Sequence, residues 1–250
     1  DWLVQYRAEG EAVEIANVSE DYGCLVLSGP KARDVLRQLT QAPLDNEAFP
    51  WLTAQEIEVA GCRLRALRMS YVGELGWELH VPMADMARVY DALIEAGQAH
   101  GIENFGSYTL NALRLEKGFK GASELTNEVT LPEADVMRFV KLDKGDFIGR
   151  DATVASLEGA RPWICAYLAV EADGADCLGG ESVWSNGARV GAVSSAAYGH
   201  WVGQSLAFAY VTPDSATPGQ ELEVMVLGER RRATVLGEPA YDPASQKPRM

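Results

Sequence analysis

The chain has 250 residues, of which 47% are hydrophobic, and its 22 Lys and Arg against 36 Asp and Glu give a formal net charge of −14. That length allows one large domain or two modest ones, each able to bury a core. The acidic balance argues against a nucleic-acid surface, because neutralising phosphates needs clustered Lys and Arg, and the absence of a run of roughly eighteen apolar residues argues against a transmembrane helix. Cysteines at 24, 62, 165 and 177 and histidines at 80, 100 and 200 are scattered with no C-x-x-C pair. Neither a zinc site nor a His-rich metal centre is therefore expected, and the thiols read as reduced core residues of an intracellular compartment. The cytoplasm is expected, or the mitochondrial matrix in a eukaryote. The first residue is Asp1 rather than Met, so the chain reads as a piece of a longer one.

Residues 12–29 (VEIANVSEDYGCLVLSGP) read as two extended runs around a turn, and Gly29-Pro30 opens a helix over KARDVLRQLTQ, with Ala32, Val35, Leu36 and Leu39 on one face. Two strands broken at Gly61 follow in QEIEVAGCRLRALRM. The apolar parity there passes from Cys62, Leu64 and Ala66 to Leu67 and Met69, which suggests a bulge. In SYVGELGWELHVP, Gly73 and Gly76 bracket a reversal, after which Trp77, Leu79 and Val81 alternate with Glu78 and His80. Apolar residues at 86, 89, 90, 93 and 94 predict a helix closed by Gly97 or Gly101, and SYTLNALRLEKG predicts another, with Leu110, Leu113 and Lys117 on one side and Gly118 as its cap. From 163 onward the chain reads as short strands between turns, with Asn186-Gly187 a hairpin signal and no helix of any length after about residue 158. The predicted fold class is α+β: an antiparallel sheet covered by helices over residues 1–147, then a small C-terminal β-barrel domain over 148–250.

No nucleophile elbow, P-loop or G-x-G-x-x-G occurs. The informative stretch is Ser70–Glu78, in which Tyr71 and Glu78 stand on either side of the reversal and a phenol and a carboxylate are expected to face a common space. A lone half-buried carboxylate can accept two parallel N–H bonds, such as an arginine guanidinium or the 2-amino and ring N–H of a pterin offer; by spacing alone Glu78 reads first as a solvated hairpin residue, and Glu74 still more so. Arg114 could point into a pocket, but on an amphipathic helix it is expected to be solvated or paired along its face. The run Lys141–Asp151 reads as an interdomain loop, since its spacing fails the EF-hand pattern. Tyr198, His200 and Trp201 read as a packed corner, with an exposed binding edge as the alternative, and Arg230–Arg232 as a solvated strand edge.

Taken together, VSEDYGCLVLSGPKARDVL, MSYVGELGWELHVP, LNALRLEKGF, FVKLDKGDFIGRDA and RVGAVSSAAYG with LAFAYV resemble the aminomethyltransferase (glycine cleavage T-protein) family, in that family's order and over nearly the whole chain. KLDKGDFIGRDA and SSAAYG are closer to the folate-binding C-terminal region of the FAD-dependent dimethylglycine and sarcosine dehydrogenases. The resemblance implies tetrahydrofolate-dependent one-carbon transfer from a methylated amine. It assigns Tyr71 to packing and hydrogen bonding beside the folate and Glu78 to the pterin's paired donors. FAD would belong only to an upstream domain, and a homo-oligomer is compatible with the family. Two departures stand out: Leu110 replaces an arginine one turn before Arg114, and Lys120-Gly-Ala-Ser-Glu124 replaces a segment where the dehydrogenases often carry Trp. The family's catalytic aspartate lies upstream of anything matching Asp1, so the catalytic residue is unknown and residues 1–250 alone are expected to bind little folate and to be inactive. The alternatives are a non-catalytic folate-binding or regulatory module and a demethylase of another methylated osmolyte.

Overall fold

The structure is a computed structural model that describes residues 2–250. Backbone contacts divide it into two compact units: one of residues 1–70, 74–103 and 248–250, the other of 71–73 and 104–247.

The first unit carries a four-stranded antiparallel sheet in the order β1-β4-β3-β2, with β1 at Tyr22–Ser28, β2 at Ala54–Val59, β3 at Cys62–Leu67 and β4 at Gly76–Pro82. Along β4, Trp77, Leu79 and Val81 are buried and Glu78 and His80 lie on the opposite face, as a half-covered strand requires. After a short α1 (Trp2–Tyr6), helices α2 (Ala32–Leu36) and α3 (Met86–Gly97) supply Val35, Leu36, Val89 and Leu93 to the core on the Trp77 face. Gly101, with φ of 73°, ends the turn that follows α3.

Three expectations change here. Residues 12–18 form no strand; they are exposed and have no partner strand to bond. The helix from 31 is shorter than its apolar spacing suggests, because after Leu36 the backbone tightens into three-residue bonds, Gln38 N to Val35 O and Leu39 N to Leu36 O. No bulge interrupts β3, which pairs with β2 in unbroken register from Cys62 to Leu67. The buried parity runs on through 62, 64 and 66 to Arg68, a residue only 1% exposed. It donates to the carbonyls of Phe49 (2.6 Å) and Met250 (2.8 Å) and lies over the Trp77 ring. An arginine in an apolar slot made the sequence pattern look broken when the strand was not.

The second unit is built on a closed antiparallel barrel, β10-β5-β8-β7-β6-β9, formed by β5 (Ile164–Val170), β6 (Ser182–Ser185), β7 (Ala188–Gly199), β8 (Gln204–Val211), β9 (Glu221–Val226) and β10 (Glu229–Leu236). Asn186 and Gly187, with φ of 50° and 81°, make the β6–β7 hairpin turn. Ala207, Ala209 and Val211 of β8 point into the barrel, while Leu206 and Phe208 point outward under Leu115 of α4 (Ser107–Glu116). Burial on both faces explains why QSLAFAYV is apolar without alternation. Helix α5 (Arg150–Glu158) precedes β5, and after it only one-turn 3-10 segments occur among the described residues. No helix among them is long and apolar enough to cross a membrane.

Two glycines of β6–β7 separate turn strain from packing. A Cβ at Gly187 would meet nothing within 4 Å, whereas one at Gly191 would lie 2.1 Å from the Tyr210 carbonyl oxygen. Gly187→Ala is expected to lose about 1–2 kcal/mol through its positive φ. Gly191→Ala is expected to lose about 3 kcal/mol or more by forcing β7 off β8. Denaturant unfolding of both variants checks the order; equal losses would contradict the register.

Candidate functional site

Helix α4 ends in a run of charged residues, Arg114, Glu116 and Lys117, all of them buried. Arg114 is not solvated. Its Nη1 donates to Glu124 Oε2 (3.0 Å) and to the Phe119 carbonyl (3.0 Å), its Nη2 to Ser195 Oγ (2.7 Å), and both Nε and Nη2 to Asn111 Oδ1 on its own face. Glu124 is fully buried at 0% exposure and accepts from four donors: Arg114, the Gly121 N–H (2.8 Å), Ser194 Oγ (2.7 Å) and Ser195 Oγ (2.6 Å). Consecutive residues of a regular strand point to opposite faces, so two adjacent serines cannot ordinarily reach one oxygen. Here β7 carries a register shift between Val193 and Ser195 against β8, which leaves Ser194 as the extra residue and turns both hydroxyls to Glu124.

This network fixes Tyr71. The Tyr71 ring stacks on Phe119 (centroids 5.9 Å apart, 18° between planes) and its hydroxyl donates to the Lys120 carbonyl at 2.7 Å. Phe119 and Gly121 are the residues whose backbone Arg114 and Glu124 hold. Burial raises the Tyr71 hydroxyl above its ordinary pKa, opposed by the Arg114 charge. The phenol therefore stays a neutral donor. Next along α4, Glu116 accepts the Trp201 N–H (2.7 Å), and Lys117 bonds both the carbonyl and the carboxylate of Asp242. The Lys117 stem lies where a side chain at Gly73 would be, 2.8 Å from an added Cβ, so glycine there makes room for the lysine.

Glu78 belongs to the first unit and differs from Glu124 in kind. On β4 it stands between Val26 of β1 and Leu67 of β3, its directly paired neighbours, with its side chain 26% exposed. Among the described residues no donor lies within hydrogen-bond distance of its carboxylate; His80 Nε2 is 3.8 Å away. It is a half-desolvated acceptor with both oxygens free, flanked by two apolar side chains. Cys24, paired with His80 across β1–β4, completes a group of three polar side chains on this face. Burial and then the Glu78 charge raise the Cys24 thiol.

The remaining candidates are surface features. Trp201 is largely exposed, edge-on to Tyr241, so residues 198–201 form an open rim rather than a packed corner. Arg230, Arg231 and Arg232 are exposed or half-buried, and each pairs with a carboxylate, Arg230 with Glu223 across β9–β10 at 3.1 Å. Sequence reasoning missed Glu124, whose only signal is its place in Lys120–Glu124, a segment noted above for what it lacks.

Two family models match the chain: the GCVT N-terminal domain over residues 1–144 and the glycine cleavage T-protein C-terminal barrel domain over residues 165–242. The chain belongs to the glycine cleavage T-protein family. It is 42% identical over 243 residues to human mitochondrial dimethylglycine dehydrogenase (95% of this chain, 28% of that protein) and 38% identical over 209 residues to mouse mitochondrial sarcosine dehydrogenase (82% and 22%). The chain thus spans about a quarter of the length of these curated relatives. The crystal structure of glycine cleavage system aminomethyltransferase T from Bartonella henselae shares the fold, with a TM-score of 0.77 at 23% identity over 88% of this chain and 60% of that one. The chain is therefore an aminomethyltransferase-like region, homologous to parts of the dimethylglycine and sarcosine dehydrogenases.

Removing one partner of a buried ion pair leaves the other charge uncompensated, so Glu124→Ala is expected to cost about 3–5 kcal/mol of stability. Arg114→Met combined with Glu124→Leu is expected to cost less than Glu124→Ala alone. Urea unfolding of both checks the order, and a double variant as destabilised as Glu124→Ala, or more so, would contradict the pairing. Asp242 supplies a pH signature. Burial works to raise its pKa, but the Gln246 and Lys247 N–H groups and the Lys117 ammonium together hold it below its ordinary 3.8. A lowered folded-state pKa gives stability that is present above about 3.8 and lost as pH falls through the folded value. Asp242→Asn is expected to flatten the acid limb of stability below pH 4, measured by thermal melts against pH; superimposable limbs would contradict it.

Proposed function

We propose that this chain is the tetrahydrofolate-binding one-carbon transfer region of a larger enzyme acting on an N-methylated amine such as dimethylglycine or sarcosine. The observation that carries the reading is Glu78, a half-buried carboxylate with no hydrogen-bond donor among the described residues, between Val26 and Leu67. Such a group is costly to leave unpaired and suits a planar ligand that presents two parallel N–H donors. The 2-amino group and ring N–H of a pterin have that donor pattern, and the apolar neighbours favour the flat bicycle over water. Folate would supply the nucleophilic nitrogen that accepts the one-carbon unit; Glu78 binds and orients the ring.

Tyr71 is assigned by the same motif to packing beside the folate. Its fixed ring, and a hydroxyl directed to the Lys120 carbonyl, are consistent with a rigid aromatic wall. Arg114 and Glu124 are positioning residues in this reading, since they hold the backbone on which Tyr71 rests. No residue of this chain is named as the catalytic acid or base. FAD, in this reading, belongs to residues upstream. Residues 1–147 are taken as the folate-binding domain and 148–250 as the barrel domain, a division supported by family-model extents that end at 144 and begin at 165.

Charge-assisted hydrogen bonds contribute about 1.5–3 kcal/mol. Glu78→Gln turns one acceptor into a donor facing a donor, so folate affinity of the intact enzyme is expected to fall roughly ten- to a hundredfold, while Glu74→Gln has little effect. Oxidation of the amine should survive Glu78→Gln while the one-carbon unit escapes as formaldehyde. The ratio of formaldehyde to folate-bound product measures this, and equal ratios in wild type and Glu78→Gln would return Glu78 to a solvated hairpin residue.

A further inference from the structure

Cys24 lies 54 and 56 positions before Glu78 and His80 in sequence, and the antiparallel β1–β4 ladder brings the three together. Cys24 is paired directly with His80, and Glu78 lies two residues before His80 on the same strand and face. Residues i and i+2 of one strand plus the residue opposite one of them form a triangle of side chains pointing the same way. The Cys24 Sγ, one Glu78 oxygen and one His80 ring nitrogen all lie within 4.8 Å of one another. Bond lengths of about 2.0–2.3 Å around a tetrahedral ion put neighbouring ligand atoms roughly 3.3–3.7 Å apart. The Glu78–His80 separation of 3.8 Å is a few tenths of an ångström beyond that, and the rest needs about 1 Å of closure by side chains that are exposed or half-buried.

One further observation points to a ligand. His80 Nε2 is buried and has no hydrogen-bond partner, so an imidazole nitrogen is held out of water beside a carboxylate that also lacks a donor. Arg65, the residue paired with His80 on its other flank, has its guanidinium 3.9 Å from the Glu56 carboxylate of β2. One thiol, one imidazole and one carboxylate make a donor set that suits a borderline-soft divalent cation and is a poor match for magnesium or calcium, which take oxygen ligands.

We propose that Cys24, Glu78 and His80 form a three-ligand site for a zinc-class divalent cation, with its fourth position open to solvent. The thiol proton goes to solvent when sulfur binds the ion, and no oxidant or reductant is involved. The proposal stands on the cluster itself and is independent of the folate reading. If that reading also holds, the ion and the pterin use the same Glu78 carboxylate and exclude one another.

The test is equilibrium dialysis of the intact, reduced protein against zinc chloride, with magnesium chloride as a control and metal content measured per chain, for wild type, Cys24→Ser and His80→Gln. Cobalt(II) serves as a spectroscopic substitute. Wild type is expected to hold zinc but not magnesium at this site, to give a thiolate-to-cobalt charge-transfer band, and to bind zinc at least tenfold more tightly than either variant. Zinc binding unchanged in both variants, or a cobalt complex without the thiolate band, would overturn the proposal. A folate titration with and without zinc separates the two readings: competition lost in Cys24→Ser supports both, and zinc binding without competition keeps the metal site and removes Glu78 from the folate site.

Discussion

A carboxylate with no access to water must be supplied with donors from the protein, and the second unit is arranged around one that is. Glu124 takes a guanidinium from α4, a backbone N–H from its own loop and two hydroxyls from β7. Each donor has a structural consequence. The guanidinium requires a buried arginine on α4, beside Ala112 and Leu115; the hydroxyls require the irregularity of β7 that turns consecutive serines the same way; the N–H requires the turn at Gly121. Because an unmatched buried charge is far more costly than an exposed one, these features stand or fall together. The position of Tyr71 follows from them.

Glu78 is the complementary case. It is partly withdrawn from water and has no donor among the described residues, beside a histidine nitrogen that also has none. A fold that satisfies one carboxylate four times over leaves another open on a sheet face with apolar neighbours. The difference separates a carboxylate that holds the structure from one free to hold a ligand, and it makes Glu78 rather than Glu124 the candidate for binding. Substitution of the first is expected to be felt in stability, and of the second in affinity.

Much of the fold was legible in the sequence because burial on one face leaves a period of two in strands and a wider repeat in helices. Trp77, Leu79 and Val81 marked β4, Val89 and Leu93 marked α3, and Asn186-Gly187 marked a hairpin whose positive φ values only such residues adopt easily. Two of the failures share a cause: a charged residue in a buried position breaks the pattern that burial would otherwise print. Arg68 continues the buried parity of β3 as a cation held by carbonyls and Trp77, and the run looked like a bulge. Arg114 looked solvated because its partners, Glu124 and Ser195, are set by loop and barrel geometry that no helical spacing encodes. Of the candidate site, the Tyr71–Glu78 motif could be picked out through the family resemblance, spacing alone favouring a solvated hairpin. The approach of Cys24 to His80 could not, because it depends on the register of strands distant in sequence.

The account rests on Glu78 as the pterin's anchor, and the structure of the intact protein with a bound reduced folate tests it most directly. The account predicts the pterin 2-amino and ring N–H nitrogens each about 2.7–2.9 Å from an oxygen of Glu78, with the ring against Val26 or Leu67. A bound folate whose pterin lies elsewhere, with the Glu78 carboxylate still facing water, would contradict it.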